Sequence, residues 1–410
     1  MTARQRVLHL TLVTTCSLGI VASTIYVPSI PAIAQALGAS VARVQFTFVG
    51  YLLAFAASMP VLGTVSDRYG RKRTMIFGVA LGVLGSAVCA ASPNIESLIF
   101  GRIIQGIGFS GGMVVGRAIV RDLYDRDGAA QIIAGLSIAI TLAQAFAPIP
   151  GGYLQEWVGW RANFTAVGLL AAAALLLVIR FVPELRPADG ASRQGAGVVL
   201  RNMRAGYRAL IGTRRFVGYA LTATGAHAGF HIFAAGAPAV LITGLGISPE
   251  HYGYYASLPP LGFIIGSFVS NRITRRLGVD ALIAMGSALL VPAGCVMVVL
   301  ALLHATSPYA IVGPMVVICC ASGLITPNAV AGSLSVNVGI IGAASGLASF
   351  MQMTGAAAAT AALSLGGSGN PLLLAIVIAA AGLFAVTAFG SLTRFGRPPA
   401  KVVSSAQASV

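Results

Sequence analysis

The sequence predicts an all-α membrane protein with twelve transmembrane helices arranged as two pseudo-symmetric six-helix bundles. Three observations predict it: sparing use of charge, long apolar runs that recur, and one polar connection in mid-chain. Of 410 residues, 57% are hydrophobic and 9% are charged, against about 25% charged in a soluble domain. Runs of about 20 apolar residues recur, each long enough to cross a hydrocarbon core of about 30 Å. A mostly buried soluble enzyme would interrupt them sooner. Inside lipid the backbone must satisfy its own hydrogen bonds, so the runs are helices.

The first six spans lie near 7–29, 44–66, 74–92, 97–121, 132–154 and 162–182. The last six lie near 216–241, 253–271, 281–303, 309–333, 338–365 and 371–393. The first is too long for a cleavable signal peptide, and no small-residue cleavage site precedes a soluble domain. Between the sets runs a polar stretch with Asp189, Gly190, Ser192 and Gly195, then a basic segment able to form a surface helix. The expected organisation is an N-terminal bundle (1–182), a linker (183–215), a C-terminal bundle (216–393) and a tail (394–410). Such paired halves place a site at their interface near the bilayer midplane.

The formal net charge is +16. Of the 26 Lys and Arg residues, all but Arg43, Arg102 and Arg161 fall on one side of a twelve-span arrangement. Positive charge marks the cytoplasmic face, so both termini are expected inside a plasma (inner) membrane. Nucleic-acid binding needs its charge gathered on one folded surface and is excluded. Cys16, Cys89, Cys295, Cys319 and Cys320 all fall in apolar runs without metal-ligand spacing, and read as buried free thiols. No metal or cofactor is expected.

Gly63, Asp67, Arg68, Gly70, Arg71 and Lys72 occupy the short basic loop after the second span. Gly63 admits a neighbouring helix, Asp67 can meet a helix N-terminus, and Gly70 permits a sharp turn. Arg71 can reach Asp122 at the inner end of the fourth span. Such a charge-paired latch can hold one conformation and break in the other. A fainter echo follows the eighth span: Gly266, Asn271, Arg272, Arg275, Arg276 and Gly278. The eighth span is the second of its half, and this shared position points to duplication.

Arg102 lies inside an apolar run, where a cation costs about 2.5–3.5 kcal/mol on insertion scales and needs an interior partner. Two readings are open: a cavity cation that meets substrate or the proton carrier, or a structural Arg bonded to carbonyls and Gln105. In the fifth span Pro148 and Pro150 interrupt the hydrogen-bond ladder. Gly151 and Gly152 beside them allow close packing.

These residues carry a resemblance. GTVSDRYGRK, starting at Gly63, resembles the loop signature of the major facilitator superfamily. Arg102-Ile-Ile-Gln105-Gly106-Ile-Gly108 resembles its RxxQGxG motif. Ala147-Pro148-Ile-Pro150-Gly151-Gly152 is similar to the proline–glycine motif of its drug–proton antiporters, with Ala147 for the leading glycine. Tyr26-Val-Pro28-Ser-Ile-Pro31 and Arg117-Ala-Ile-Val-Arg121-Asp122-Leu-Tyr124 resemble stretches of the Bcr/CflA drug-resistance subfamily. Trp160-Arg161, Pro327-Asn328, Gly342-Ala-Ala-Ser345 and Gln352 also fit. The resemblance covers essentially the whole chain. It implies a kinked gating contact between the fifth span and the other half, and puts Arg102 near the proton-coupling machinery.

One departure stands out. The subfamily pattern carries an Asp two residues before the tyrosine, where this chain has Thr24. All ten acidic residues map to loops or helix ends, so the usual membrane-embedded proton carrier is missing. His227 and His231, one turn apart in the seventh span, are the substitute candidates. The structural alternative is that both bond neighbouring helices. Gln45, Tyr51, Gln105, Gln144, Asn328 and Gln352, with Tyr26 and Phe350 for stacking, complete a candidate substrate and proton pathway.

No P-loop, metal cluster or nucleophile motif is present, so an enzyme is not expected. The expected function is export of small amphipathic compounds, a drug or toxic metabolite, by proton antiport with alternating access. The alternative is an importer or facilitator of a small anionic or neutral metabolite, with Arg102 as anchor. Partners are a small-molecule substrate, protons and the bilayer, with the chain a monomer.

Overall fold

A computed structural model describes residues 3–185, 205–336, 341–367 and 369–393. Most of the linker (186–204, with Asp189 to Gly195) and the tail (394–410) lie outside the described residues. The described secondary structure is entirely helical. Helices α1 (Ala3–Thr24), α2 (Ile30–Ala36), α3 (Val41–Tyr69), α4 (Arg71–Ala90), α5 (Ile95–Leu123), α6 (Arg126–Phe146), α7 (Pro148–Trp157) and α8 (Arg161–Phe181) build the first half. A short helix α9 spans 205–211. The second half contains α10 (Arg214–Pro238), α11 (Pro249–Leu277), α12 (Val279–Leu302), α13 (Tyr309–Ser335), α14 (Ile341–Gly366) and α15 (Pro371–Leu392).

Ten helical stretches among the described residues are long and apolar enough to cross a membrane. Helices α11 and α14, of 29 and 26 residues, occupy the places of the eighth and eleventh spans. The first span stops at Thr24 and passes through a 3-10 turn, Val27–Ser29, before α2. Pro28 in that turn has no N–H to continue the α-helical ladder. The fifth span bends at Ala147, which keeps helical angles (φ −56°, ψ −35°) while α7 starts at Pro148. Past Pro238, the seventh span ends in a π-helical stretch, Ala239–Gly244.

The duplication is visible in the helices themselves. Ser40 and Ser248 stand before α3 and α11, both in extended backbone, and each helix runs 29 residues. Each then ends on a glycine with positive φ, Gly70 at 99° and Gly278 at 84°. That conformation favours glycine because it carries no Cβ. Both starts and both ends are offset by 208 residues. In this common frame Asp67 stands opposite Arg275 and Arg71 opposite Val279, so the corner is shared while its side chains differ.

In the first half α5 lies against both α1 and α4 without side chains between the backbones. A Cβ at Gly78 would sit 2.9 Å from the Gly108 carbonyl oxygen. Overpacking such a contact costs about 1–3 kcal/mol. Cys16, Cys89 and Cys319 are buried as free thiols, but Cys295 is exposed and Cys320 half-buried. The expectation of five buried thiols is therefore wrong for Cys295. The outer wall of a membrane helix is as apolar as its core, so hydropathy cannot tell them apart. Helix α9 packs on the second half: Leu210 joins Phe216, Ala220, Ala344 and Leu347 in a small separate cluster.

Candidate functional site

The enclosed arginine on α5 is surrounded by residues of α1, α3, α4 and α8, all in the first half. Arg102 on α5 is fully buried. Its guanidinium lies 4.3 Å from the ring centre of Tyr26 and 4.2 Å from that of Tyr51, with Phe164 of α8 at 5.9 Å. Nη1 donates to the Ala22 carbonyl at 2.9 Å and to Gln105 Oε1 at 2.5 Å. Gln105 passes the network to Ser86 Oγ, 2.8 Å away. Nε and Nη2 have no hydrogen-bond partner among the described residues. The charge is thus balanced by ring faces and neutral oxygens rather than by a carboxylate. Among the described residues no Asp or Glu is buried. Tyr26 also bonds Thr47 Oγ1 at 3.0 Å, and Tyr51 donates to the Gly19 carbonyl at 2.5 Å.

Next to this cage runs the seam between the halves. Gln45 Nε2 on α3 donates to the Ala235 carbonyl of α10 at 3.0 Å. Three residues further along α3, the Phe48 ring lies 6.0 Å from the ring of His231. The His227 and His231 rings are 4.7 Å apart. His231 Nδ1 is 3.4 Å from the carbonyl oxygen of His227, and His227 Nε2 is buried without a partner among the described residues. Neither ring bonds another helix among the described residues, so the expected helix-to-helix bond is not formed.

Thr24 donates to the Ile20 carbonyl and faces the second half. With Val27 and Pro148 it lines a cavity of about 10 Å³ closed from the other side by Phe230, Phe233 and Tyr252. That volume is near the minimum for one water molecule. Beside it the halves meet backbone to backbone. A Cβ on Gly152 would overlap the Pro249 carbonyl, and one on Gly253 would stand 2.7 Å from the Pro148 carbonyl oxygen. Asn163 holds the bend, donating to Ser29 Oγ at 2.8 Å and to the Gly151 carbonyl at 3.2 Å. Tyr153 and Tyr254 join their hydroxyls across the seam at 2.9 Å. All these contacts lie toward the face opposite the basic loops.

At the basic face Arg71 donates from Nε to Asp122 Oδ2 at 2.8 Å and from Nη1 to Ser66 Oγ at 2.7 Å. It also pairs with Asp67. The group ties together α3, α4 and α5 of one half, and among the described residues it does not reach the other half. Gly63 lies on Val114 of α5, and the Arg68 guanidinium lies 5.6 Å from the centre of the neighbouring Tyr69 ring. In the second half the matching corner holds a different bond: Tyr219 donates to Asp280 at 2.5 Å.

The structure therefore brings Tyr26, Tyr51, Arg102 and Gln105 into one cluster and sets Thr24, Pro148, Gly152, His227 and His231 along the seam. Gly151 packs on Ile25 of the first half, and Pro150 is exposed. Asn328 belongs elsewhere, donating to Ser270 Oγ at 2.6 Å between α13 and α11. Gln144 and Gln352 are half-buried, and Phe350 is exposed. Phe48, Phe164, Phe230, Phe233, Tyr252 and Ser86 were not singled out in the sequence. An aromatic residue inside an apolar run carries no signal of its own. Asn163 does carry one, as an amide within such a run.

Two helical halves, a seam of glycine contacts and a loop ion-pair cluster define a multi-pass membrane transporter. The Major Facilitator Superfamily pattern matches residues 12–360, and the chain belongs to that superfamily. Its similarity runs to drug-efflux members. It is 26% identical to a bicyclomycin resistance protein homologue of Haemophilus influenzae, over 68% of this chain and 69% of the relative. It is 29% identical to multidrug resistance protein D of Escherichia coli, over 67% and 68%. A chloramphenicol resistance protein of Pseudomonas aeruginosa is 25% identical over 71% and 67%. The fold matches a D-xylose–proton symporter with a TM-score of 0.76, at 13% identity, over 93% of this chain and 97% of that one.

Proposed function

We propose that this chain exports small amphipathic organic compounds, neutral or anionic, by alternating access, and that proton antiport drives the export. The observation that carries the reading is the seam itself. Apolar and aromatic side chains from both halves meet at Thr24, and no carboxylate lines that cavity. A cationic drug would find no counter-charge there, whereas a neutral aromatic compound would find rings and weak hydrogen-bond donors. The proposed membrane is the inner one. Its cytoplasmic side is the face of the basic loops and both termini, following the positive-inside rule. One chain supplies both sides of the seam, so a monomer suffices.

Arg102 supports this reading over uptake of a specific anion. It is enclosed by Tyr26 and Tyr51, so an anion arriving in the seam does not meet it in this conformation. Alternating access would then consist of breaking the α7–α11 contact on the outer side while the loop cluster keeps the first half rigid. His227 and His231 are the titratable groups proposed to carry the proton, since they lie on the seam and within one ring contact of the first half.

Everted membrane vesicles containing the full chain test the proposal. Acidifying their lumen should drive accumulation of radiolabelled chloramphenicol, and collapsing the pH gradient should release it. Flux that ignores the gradient in both directions would replace the antiporter by a facilitator.

A further inference from the structure

A second cavity lies far from the seam, at the basic face. It has a volume of about 290 Å³ and opens between α1 and α6. Leu12 and Val13 form one wall, Ile132 and Leu136 the other, and His9 closes one end. His9 and Thr24 are fifteen residues apart on one helix, so this cavity lies about 22 Å along the axis from the seam. The His9 ring is held by Tyr124, just past the end of α5: Nε2 to hydroxyl is 2.7 Å, with the rings 5.6 Å apart. Gly135 leaves the space open, since a Cβ there meets nothing within 4 Å.

The two cavities differ in what they can hold. The seam cavity has room for about one water. The cavity at His9 lies at the small end of the range of about 300–1,000 Å³ used by small-molecule sites. It also has their usual makeup, apolar walls with a fixed polar group at one end. In a conformation whose seam is closed, this is where a compound arriving from the basic face fits.

We propose that the cavity formed by His9, Leu12, Val13, Ile132, Gly135 and Leu136 is a capture subsite for export substrates. It takes a neutral amphipathic compound of about one ring, its apolar body between α1 and α6 and one hydrogen-bonding group toward the His9–Tyr124 pair. This rests on the exporter reading above. The compound binds here first and passes to the seam when the halves move. Capture and translocation are then separate steps, and a change in this cavity alters the half-saturating concentration more than the maximal rate.

Chloramphenicol, a neutral aromatic amide with hydroxyl groups, is the probe. Gly135→Leu has free room for its Cβ and puts its side chain into the cavity, and His9→Phe keeps a ring but removes its hydrogen bond. Each should raise the half-saturating chloramphenicol concentration in vesicle uptake by about tenfold, equivalent to about 1.4 kcal/mol, with the maximal rate little changed. An unchanged half-saturating concentration in both variants overturns the proposal.

A binding measurement separates this from the transport reading. In full-length Gly135→Cys, maleimide labelling above the wild-type background should slow when chloramphenicol is added. Labelling of Arg208→Cys, on α9 of the other half, should not. Protection without transport supports the subsite and sinks the exporter reading; transport without protection sinks the subsite. Slow labelling that chloramphenicol leaves unchanged means that a lipid chain fills the cavity, which also overturns the proposal.

Discussion

At the scale of single residues, Arg102 and the histidine pair divide the electrostatics of the protein between them. Arg102 lies inside the first half, held by two ring faces and two neutral oxygens. Each ring contact contributes about 0.5–2 kcal/mol depending on desolvation, so the cage offsets much of an insertion cost near 3 kcal/mol. A permanently charged guanidinium cannot release a proton to either side. The imidazoles of His227 and His231 can. Replacing both by Asn should reduce gradient-driven chloramphenicol accumulation to its gradient-free level while leaving exchange down a concentration gradient intact. Accumulation that survives the double replacement removes the pair from the mechanism. Arg102 is legible in the sequence as an interior cation because a charge stands out in an apolar run. Its cage is not, because Phe164 and Ser86 come from other helices and look like ordinary span residues. The histidines are legible as a pair from their four-residue spacing. The absence of a bond to another helix depends on tertiary distances.

Among the elements, the α6–α7 bend and α11 set the contact on the face opposite the basic loops, the outer face in the proposed orientation. Pro148 and Pro150 free the local ladder, Asn163 donates to the buried Gly151 carbonyl, and the glycines let two backbones touch. Gly152→Val places a branched side chain where the Pro249 carbonyl lies. The halves must then part at that point, because a backbone carbonyl does not rotate away like a side-chain end. Such a wedge should favour the open outer seam. A cysteine at Ala256, which is buried on the seam, should label in the Gly152→Val protein with an impermeant maleimide from the outside about tenfold faster than in the parent, matching a population shift of about 1.4 kcal/mol. Equal labelling rates would show that the contact is not the gate. The bend is readable from the Pro-Gly run alone. Its partner Gly253 is not, since one glycine in a Tyr-rich helix start gives no hint of what it faces. The repeat after α11 is legible as a second basic loop, and its exact frame comes from the positive-φ corners at Gly70 and Gly278.

For the whole molecule, the proposed exchange has a consequence for driving force. Exchange of a neutral compound for one proton moves one net charge per cycle. A membrane potential acting on one charge is worth about 2.3 kcal/mol per 100 mV, or about fiftyfold in accumulation. Everted vesicles with a lumen-positive potential should therefore be poised to exchange luminal charge for external compound. A potassium–valinomycin potential of that sign, without any pH difference, should raise chloramphenicol accumulation, read as retained radiolabel. No response to the potential would mean an electroneutral exchange and a different proton count. The two-bundle architecture behind this argument is the most legible feature of the sequence, because span length and charge placement are set by the bilayer rather than by neighbouring residues. The closed seam and the cavity at His9 depend on how the bundles lean together, which no single segment encodes.

The serine starts and glycine corners that repeat 208 residues apart also separate shape from chemistry. The two hairpins share one form and differ in their contacts. One corner has an arginine paired with Asp122, and the other has Val279 beside an aspartate that serves Tyr219. The corner is set by its backbone rather than by its side-chain bonds, so the contacts of one half can change without altering the form of the other.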